Sequence, residues 1–322
     1  DPLTPVLGGI RLRCLMPSAH QFTAPWGVEV GRFPAERIAL HFRSTGLPVP
    51  DPIPPIHGDI IAVLRGSCCI EVAERGHRQT LTAGDVVVLS NDDLFVLRDD
   101  WSSPYQHIRN YVDDESTMRQ GLGIRVGGGG ARTSVLIGPF FFEDADDGHP
   151  LLTALPPVLH ASGANIRNAP WVMSTLQVID NELQALQPGY QTIVNHLMYT
   201  LFVEAIRAHV QSDAIEEGSW FRAVFDAKLA AALHAIHMQP EQQWTVATLA
   251  KTTGMSRSVF AERFTTLMGV SPLRYLAQCR MQRAKHLLRE STLGIKNVAA
   301  KVGYRSESAF CQAFKREYGE SP

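Results

Sequence analysis

Two small sets of side chains, fifty positions apart, offer the plainest chemistry in this sequence. Around Phe260 and Phe264 lie Arg257, Ser258, Ala261 and Glu262; around Phe310 and Phe314 lie Glu307, Ser308, Cys311 and Gln312. Shown together on a surface, groups of this kind could meet base edges, although the first set is poor in strong base contacts. A carboxylate accepts from the amino group of cytosine, and an alanine methyl meets the methyl of thymine. Arg257 and Arg305 stand close enough in sequence to neutralise Glu262 and Glu307. Arg263, Arg280 and Lys315 are candidates for phosphate contact, with an internal ion pair or a solvated charge as the alternative for each.

The spacing predicts the elements that hold these groups. Ser256, Ser258, Phe260, Phe264, Gly269, Ser271 and Pro272 recur as Ser306, Ser308, Phe310, Phe314, Gly319, Ser321 and Pro322, a duplicated unit. A serine four residues before a phenylalanine, itself four before another, fits a capped helix with one buried stripe. Ser256 and Ser306 are therefore expected as N-caps. Upstream of each, LAKTTG and AAKVG predict a short helix with Leu249 and Ala250, or Val298 and Ala299, facing inward. Gly254 and Gly303 permit the chain reversal. Helix, glycine turn, helix is an arrangement whose second helix enters the DNA major groove. PLRYLAQCRMQRAKHLLRES, with Leu273, Leu276, Ala277, Ala284, Leu287 and Leu288 at helical spacing, predicts a linking helix of about 18 residues and roughly 27 Å.

On these residues a family resemblance rests. WTVATLAKTTGMSRSVFAERF, GVSPLRYLAQCRMQRAKHLL and VAAKVGYRSESAFCQAFKREYGESP together resemble the DNA-binding domain of AraC/XylS-type transcription regulators over about 100 residues. The resemblance implies base contacts from Ser258, Ala261 and Glu262 in the first unit and from Glu307, Ser308, Cys311 and Gln312 in the second.

Charge divides the chain at the same place. Residues 219–322 carry 15 Lys and Arg against 7 Asp and Glu, a balance of +8, whereas residues 1–218 carry 15 against 25, a balance of −10. A basic domain attracts phosphate.

The first 160 residues read mainly as β-structure. IIAVL, CCIEV, QTLTA and DVVVL are rich in Val, Ile and Thr and are separated by Gly66, Gly76 and Gly84, which suggests a sandwich or small barrel. VLRGSCCIEV followed by LTAGDVVVL resembles a cupin-type sensor domain, as do APWG at 24–27 and HPLLTALPPVLH at 149–160. Cupin enzymes hold a metal through an HxH pair, a glutamate and a later histidine. Here Asp59 falls in the glutamate's place, Pro54 or Pro55 where a histidine belongs, Ser90 in place of a proline and Phe95 at the last histidine; no HxH occurs in the chain. His41, His57 and His107 remain as scattered imidazoles, so no catalytic metal and no cofactor are expected. An organic effector would meet Trp26, His57, Cys69, Phe95 and His107, residues that core packing explains nearly as well. The proline-rich GLPVPDPIPPIHG at 46–58 is expected as a stiff loop over the barrel, and GGGG at 127–130 as a flexible turn or mobile loop.

Leu176, Ile179, Leu183 and Leu186, then Val194, Leu197, Met198, Leu201 and Phe202, predict two helices parted by Pro188 and Gly189. The resemblance implies that such helices join sensor to reader and carry a dimer contact; simple cover of the barrel is the alternative. QSDAIEEGS at 211–219 reads as a linker. Five cysteines, Cys14, Cys68, Cys69, Cys279 and Cys311, without a CxxC spacing favour reduced thiols. No signal segment or long apolar run appears, so neither export nor membrane insertion is indicated.

The expected architecture is α+β and multidomain. It comprises a cupin-like β-barrel sensor (1–165), a helical connector (166–218) and an all-α DNA-binding domain with two helix-turn-helix units (219–322). The expected function is that of a cytoplasmic transcription regulator, an activator or a repressor. Its partners would be double-stranded DNA, a small-molecule effector, RNA polymerase and a second copy of the chain, with no membrane. A cupin-type metalloenzyme fused to a DNA-binding domain and a ligand-independent DNA-binding protein are the alternatives.

Overall fold

The computed structural model describes residues 11–15, 17–32, 34–44, 49, 53, 55–111, 123–142, 155–163, 169–211, 226, 228–290 and 293–322. From Leu12 on, the described residues fall into two units, one within residues 12–142 and 155–211 and the other within residues 226–322.

The first unit is built on strands β1 (Leu12–Cys14), β2 (Ser18–Thr23), β3 (Gly27–Val30), β4 (Gly58–Arg65), β5 (Ser67–Val72), β6 (His77–Thr82), β7 (Val86–Leu89), β8 (Phe95–Arg98), β9 (Gln106–His107), β10 (Arg125–Gly127), β11 (Arg132–Phe142) and β12 (Val158–Ala161). Among the described residues one α-helix, α1 (Ala35–Ser44), and two short 3-10 turns, Ala73–Arg75 and Ile108–Tyr111, interrupt them. IIAVL, CCIEV, QTLTA and DVVVL fall in β4, β5, β6 and β7 as their composition predicts. α1 was not anticipated, although Ile38, Ala39 and Phe42 form its buried stripe.

The strands form two sheets, ordered β10-β2-β11-β4-β7-β12 with β1 beside β11, and β6-β5-β8-β3-β9. The expected barrel is therefore a pair of sheets whose ladders do not join into a closed cylinder among the described residues. Gly66, at φ +79 and with the Arg132 carbonyl where a Cβ would sit, lets β4 leave the large sheet and enter the small one as β5. Alternation then buries one face of each sheet in a shared core that includes Phe22, Val28, Ile61, Cys68, Ile70 and Ile137. Burial of apolar surface on this scale is the main stabilising term.

GGGG joins β10 to β11 as a hydrogen-bonded turn, the first of the two forms expected. Gly128 N–H donates to the Thr23 carbonyl (2.9 Å) and Gly129 N–H to Thr23 Oγ1 (3.1 Å). A Cβ on Gly127 would lie 1.8 Å from the Thr23 carbonyl oxygen, so only glycine allows this approach.

Helices α2 (Ala169–Ala185) and α3 (Tyr190–Gln211) follow, parted at Pro188 and Gly189 as predicted. They pack on the sheet's other face. The Phe202 ring lies 5.7 Å from those of Phe140 and Phe142, and Asn195 Oδ1 accepts from Cys14 N–H at 2.8 Å. Of the 46–58 segment, Val49, Ile53 and Ile56 pack against Leu15, Ile38, Phe42 and Phe141; most of it, with residues 149–154 and 212–219, lies outside the described residues. No described helix is long and apolar enough to cross a membrane.

The second unit is helical throughout its described part: α4 (Ala230–Met238), α5 (Val246–Thr252), α6 (Arg257–Met268), α7 (Pro272–Glu290), α8 (Ile295–Lys301) and α9 (Glu307–Tyr318).

Candidate nucleic-acid interface

Each reading helix begins at the serine that the repeat marks. Ser256 Oγ accepts from Val259 N–H (3.4 Å) at the start of α6, and Ser306 Oγ from Ala309 N–H (3.2 Å) at the start of α9. Each side chain thereby satisfies an amide that has no intrahelical partner. Both helices end at a left-handed glycine, Gly269 (φ 70) and Gly319 (φ 77), which residues with a Cβ adopt only with strain. Thr245 and Thr248 close a reciprocal capping box on α5.

The buried stripes are duplicated at the level of side-chain geometry. Phe260 and Phe264 have ring centroids 5.6 Å apart at 57°, and Phe310 and Phe314 are 5.7 Å apart at 56°. All four are buried, as are Leu249, Ala250, Val298 and Ala299 on the preceding helices. With the phenylalanines fixed inward, helical geometry turns the residues between them to solvent.

Arg257, Ser258 and Glu262 are exposed on α6 with Ala261 half-buried; Glu307, Ser308, Gln312 and Lys315 are exposed on α9 with Cys311 half-buried. Arg305, in the turn before α9, is exposed too. Val259 is 53% exposed and Ala309 also faces solvent, positions that spacing from the phenylalanines did not single out. Among the described residues Glu262 and Glu307 form no ion pair, with Arg257 and Arg305 or with any other group. Their carboxylates keep full acceptor capacity for an amino group.

Between the reading helices runs α7, whose 19 residues span about 28 Å. Its buried side is set by Tyr275, Leu276, Met281 and Ala284, whereas Leu273, expected on that side, is 45% exposed. Pro272 at the first position fixes φ where no amide partner is needed. Major-groove faces on one side of B-DNA recur about every 34 Å, a length of the same order.

A family profile described as a helix-turn-helix domain matches residues 249–322, and one described as Cupin matches residues 1–211. Over 264 residues the chain is 36% identical to the HTH-type transcriptional regulator AlkR of Acinetobacter baylyi, covering 81% of this chain and 84% of that one. A putative AraC-like transcription regulator of Streptomyces lividans is 31% identical over 323 residues, covering 100% and 96%. Another, of Streptomyces antibioticus, is 33% identical over 263 residues, covering 81% and 84%.

The chain belongs to the AraC-like transcription regulators. It is a DNA-binding regulator with an N-terminal cupin domain, and not an enzyme.

Within this AraC-like regulator the candidate phosphate contacts separate by environment. Arg263 is committed to the carboxylate of Asp226. Arg280 donates from Nε to the Pro240 carbonyl and from a terminal nitrogen to the Gln242 carbonyl, both at 2.7 Å, and lies over the Tyr304 ring. It braces the chain before α5 against the second helix-turn-helix, where Gly303 leaves room for its guanidinium. Lys315 stays exposed, as do Lys251, Lys296, Lys301 and Arg316.

The regulator's five candidate effector residues are not brought together. Trp26 stacks on Phe22 at 4.1 Å and shares the sandwich core with Phe95. Cys69 lies on the opposite face of β5, 4.0 Å from Thr80 Oγ1. His57 Nδ1 accepts from Phe142 N–H at 3.1 Å, and His107 belongs to the edge strand β9. Burial pushes the Cys68 thiol up to about 12, which suits packing better than redox sensing. Asp59, in the glutamate's place, is fully buried with neither oxygen hydrogen-bonded. Among the described residues no three His, Cys, Asp or Glu side chains are grouped to hold a metal.

Proposed function

We propose that this regulator reads two successive major-groove segments, α6 through Arg257, Ser258, Ala261 and Glu262, and α9 through Glu307, Ser308, Cys311 and Gln312, with Arg305 and Lys315 toward phosphate. The observation that carries the reading is the matched phenylalanine geometry beneath both exposed faces, at the two ends of one helix. Side chains held over a rigid core lose little further freedom on binding, which favours specific readout. A sensor of residues 1–165, a connector of 166–218 and a reader of 219–322 would then work in the cytoplasm, beside RNA polymerase. An effector in the N-terminal domain acts by binding one arrangement of the chain better than another. Exposed Trp171 and Val178 on α2 and Ile193 on α3, each more than 40% accessible, support a homodimer through these helices.

Sequence selection from random duplex DNA near physiological salt tests the reading. Two short preferred blocks about one helical turn apart, bound far more tightly than scrambled duplex, are expected. Equal and steeply salt-dependent binding to every duplex would reduce the reader to electrostatic attachment.

A further inference from the structure

The first unit holds a cavity of about 850 Å³ between the outer face of the large sheet and α2, away from the shared core. Strand register builds its floor. Arg125 of β10 is opposite Gln21 of β2, Gln21 is opposite Ser134 of β11, and Ser134 is opposite Arg65 of β4. Directly opposed residues share a face, so this row crosses four neighbouring strands with a guanidinium at each end. Arg132, two residues before Ser134, adds a third on the same face. The bonded glycine turn carries the chain over the end of β2, which sets Arg125 and Arg132 on either side of that strand.

The three guanidinium groups are exposed and, among the described residues, none is hydrogen-bonded or paired with a carboxylate. They sit in the acidic part of the chain, where residues 1–218 carry ten more acidic than basic groups. One carboxylate, Asp180 of α2, shares the cavity wall with them. Arg125 and Arg65 stand three strand spacings apart, roughly 14 Å between backbones, and an anion between their long side chains would gain fork-shaped hydrogen bonds that Asp180 alone does not supply. The remaining wall is mixed, with Leu64 on the sheet and Met173 on α2 as apolar patches among Gln21, Thr23, Ser134 and Gln177. Met173 is 38% exposed, so its thioether is open to a ligand in the groove.

We propose that this groove is the effector site and that its ligand is a compact organic anion with an apolar ring or chain. Arg65, Arg125 and Arg132 hold the oxyanion head while Leu64 and Met173 receive the body. The volume lies within the range of small-molecule sites. Occupancy ties α2 to β2, β4, β10 and β11, so the ligand acts on the helix pair that precedes the reader in sequence. The inference rests on the effector reading above and adds the place and chemical class of the ligand.

Calorimetric titration of the full chain with 2-naphthoate, 2-naphthalenemethanol and acetate tests it without DNA. Naphthoate is expected to bind with a dissociation constant of about 100 μM or tighter. The alcohol lacks the head and acetate lacks the body, and each should bind at least about tenfold more weakly. The triple variant Arg65→Gln, Arg125→Gln, Arg132→Gln should lose at least about tenfold in naphthoate affinity at an unchanged melting temperature, because these side chains support no other contact. No naphthoate binding, equal binding of the alcohol, or full affinity in the triple variant would overturn the proposal. Repeating the titration on the operator complex separates the two readings. Naphthoate that binds through the arginines yet leaves DNA affinity unchanged sinks effector control and spares the ligand class. DNA affinity that answers to a different metabolite, with no naphthoate binding, sinks the groove and spares the regulator.

Discussion

Arg263 of α6 donates to the carboxylate of Asp226, and this pair takes the most central cation of the first reading helix away from DNA. Burial raises the Asp226 pKa, but hydrogen bonds from Arg263 and from the amides of Leu229 and Lys228 outweigh it and leave the group below its usual range. A depressed carboxylate contributes stability above its unfolded pKa and loses it as pH falls through the lowered folded value. Arg263→Ala should therefore cost under about 1 kcal/mol at neutral pH, since the guanidinium is partly solvated, and leave the salt dependence of DNA binding unchanged. Lys315→Ala should do the reverse, lowering the log–log salt slope by about 1 with little change in stability. Fluorescence anisotropy across a salt series measures both, and equal slopes for Lys315→Ala and the parent would remove Lys315 from the phosphate set.

Loss of a helix cap should be felt in each unit. Ser256→Ala and Ser306→Ala are each expected to destabilise by about 1 kcal/mol, whereas the glycine variants should cost a few tenths. Urea denaturation of the full chain gives the values. Equal costs for alanine and glycine would mean that the hydroxyl oxygens contribute nothing as acceptors.

Glu262 should govern base choice more than affinity. Its carboxylate is exposed and unpaired, so an amino donor on a base edge completes it, while phosphate repels it. Glu262→Ala is expected to shift the preferred base within the first block by about 1–3 kcal/mol of discrimination and to change affinity for non-specific DNA little. Sequence selection with the variant decides the matter, since an unaltered preference leaves Glu262 no part in readout.

Asp59 should make the N-terminal unit sensitive to alkali. Burial, with a smaller push from Asp92, holds its pKa well above the ordinary value. Protonation therefore favours the folded state, and stability declines as pH rises from the unfolded carboxylate pKa through the folded one. Asp59→Asn removes the ionisation at nearly constant shape. It should raise the melting temperature at pH 8 by about 2–4 °C for each kcal/mol recovered and flatten the loss between pH 5 and pH 8. An equally steep loss in the variant would assign the pH dependence elsewhere.

The reader was legible because each of its signals is local. Cap, paired phenylalanines and terminal glycine all fall within one helix length, and duplication repeats them. Even there, burial depended on neighbours. Leu273 and Tyr275 are two residues apart on α7, yet packing against Phe264 and His237 buries the tyrosine and leaves the leucine outside. Arg280 could not be told from a phosphate ligand, because its partners are carbonyls about forty residues back. In the N-terminal unit composition revealed the strands but not their pairing. Cys69 and Phe95 were grouped with Trp26 by residue type, whereas the pleat sends Cys69 to the other face. Arg65, Arg125 and Arg132 drew no notice because only sheet register makes them neighbours.

The linking helix α7 also has an angular meaning. Each residue of an α-helix turns the chain by about 100° and advances it by 1.5 Å, so under the proposed two-groove readout one residue added in its middle would swing Gln312 and Glu307 away from the groove. Side chains on α6 and α9 can be exchanged to read new bases, but the count of residues between them changes only in near-whole turns. On that proposal the operator is constrained in phase as well as in sequence.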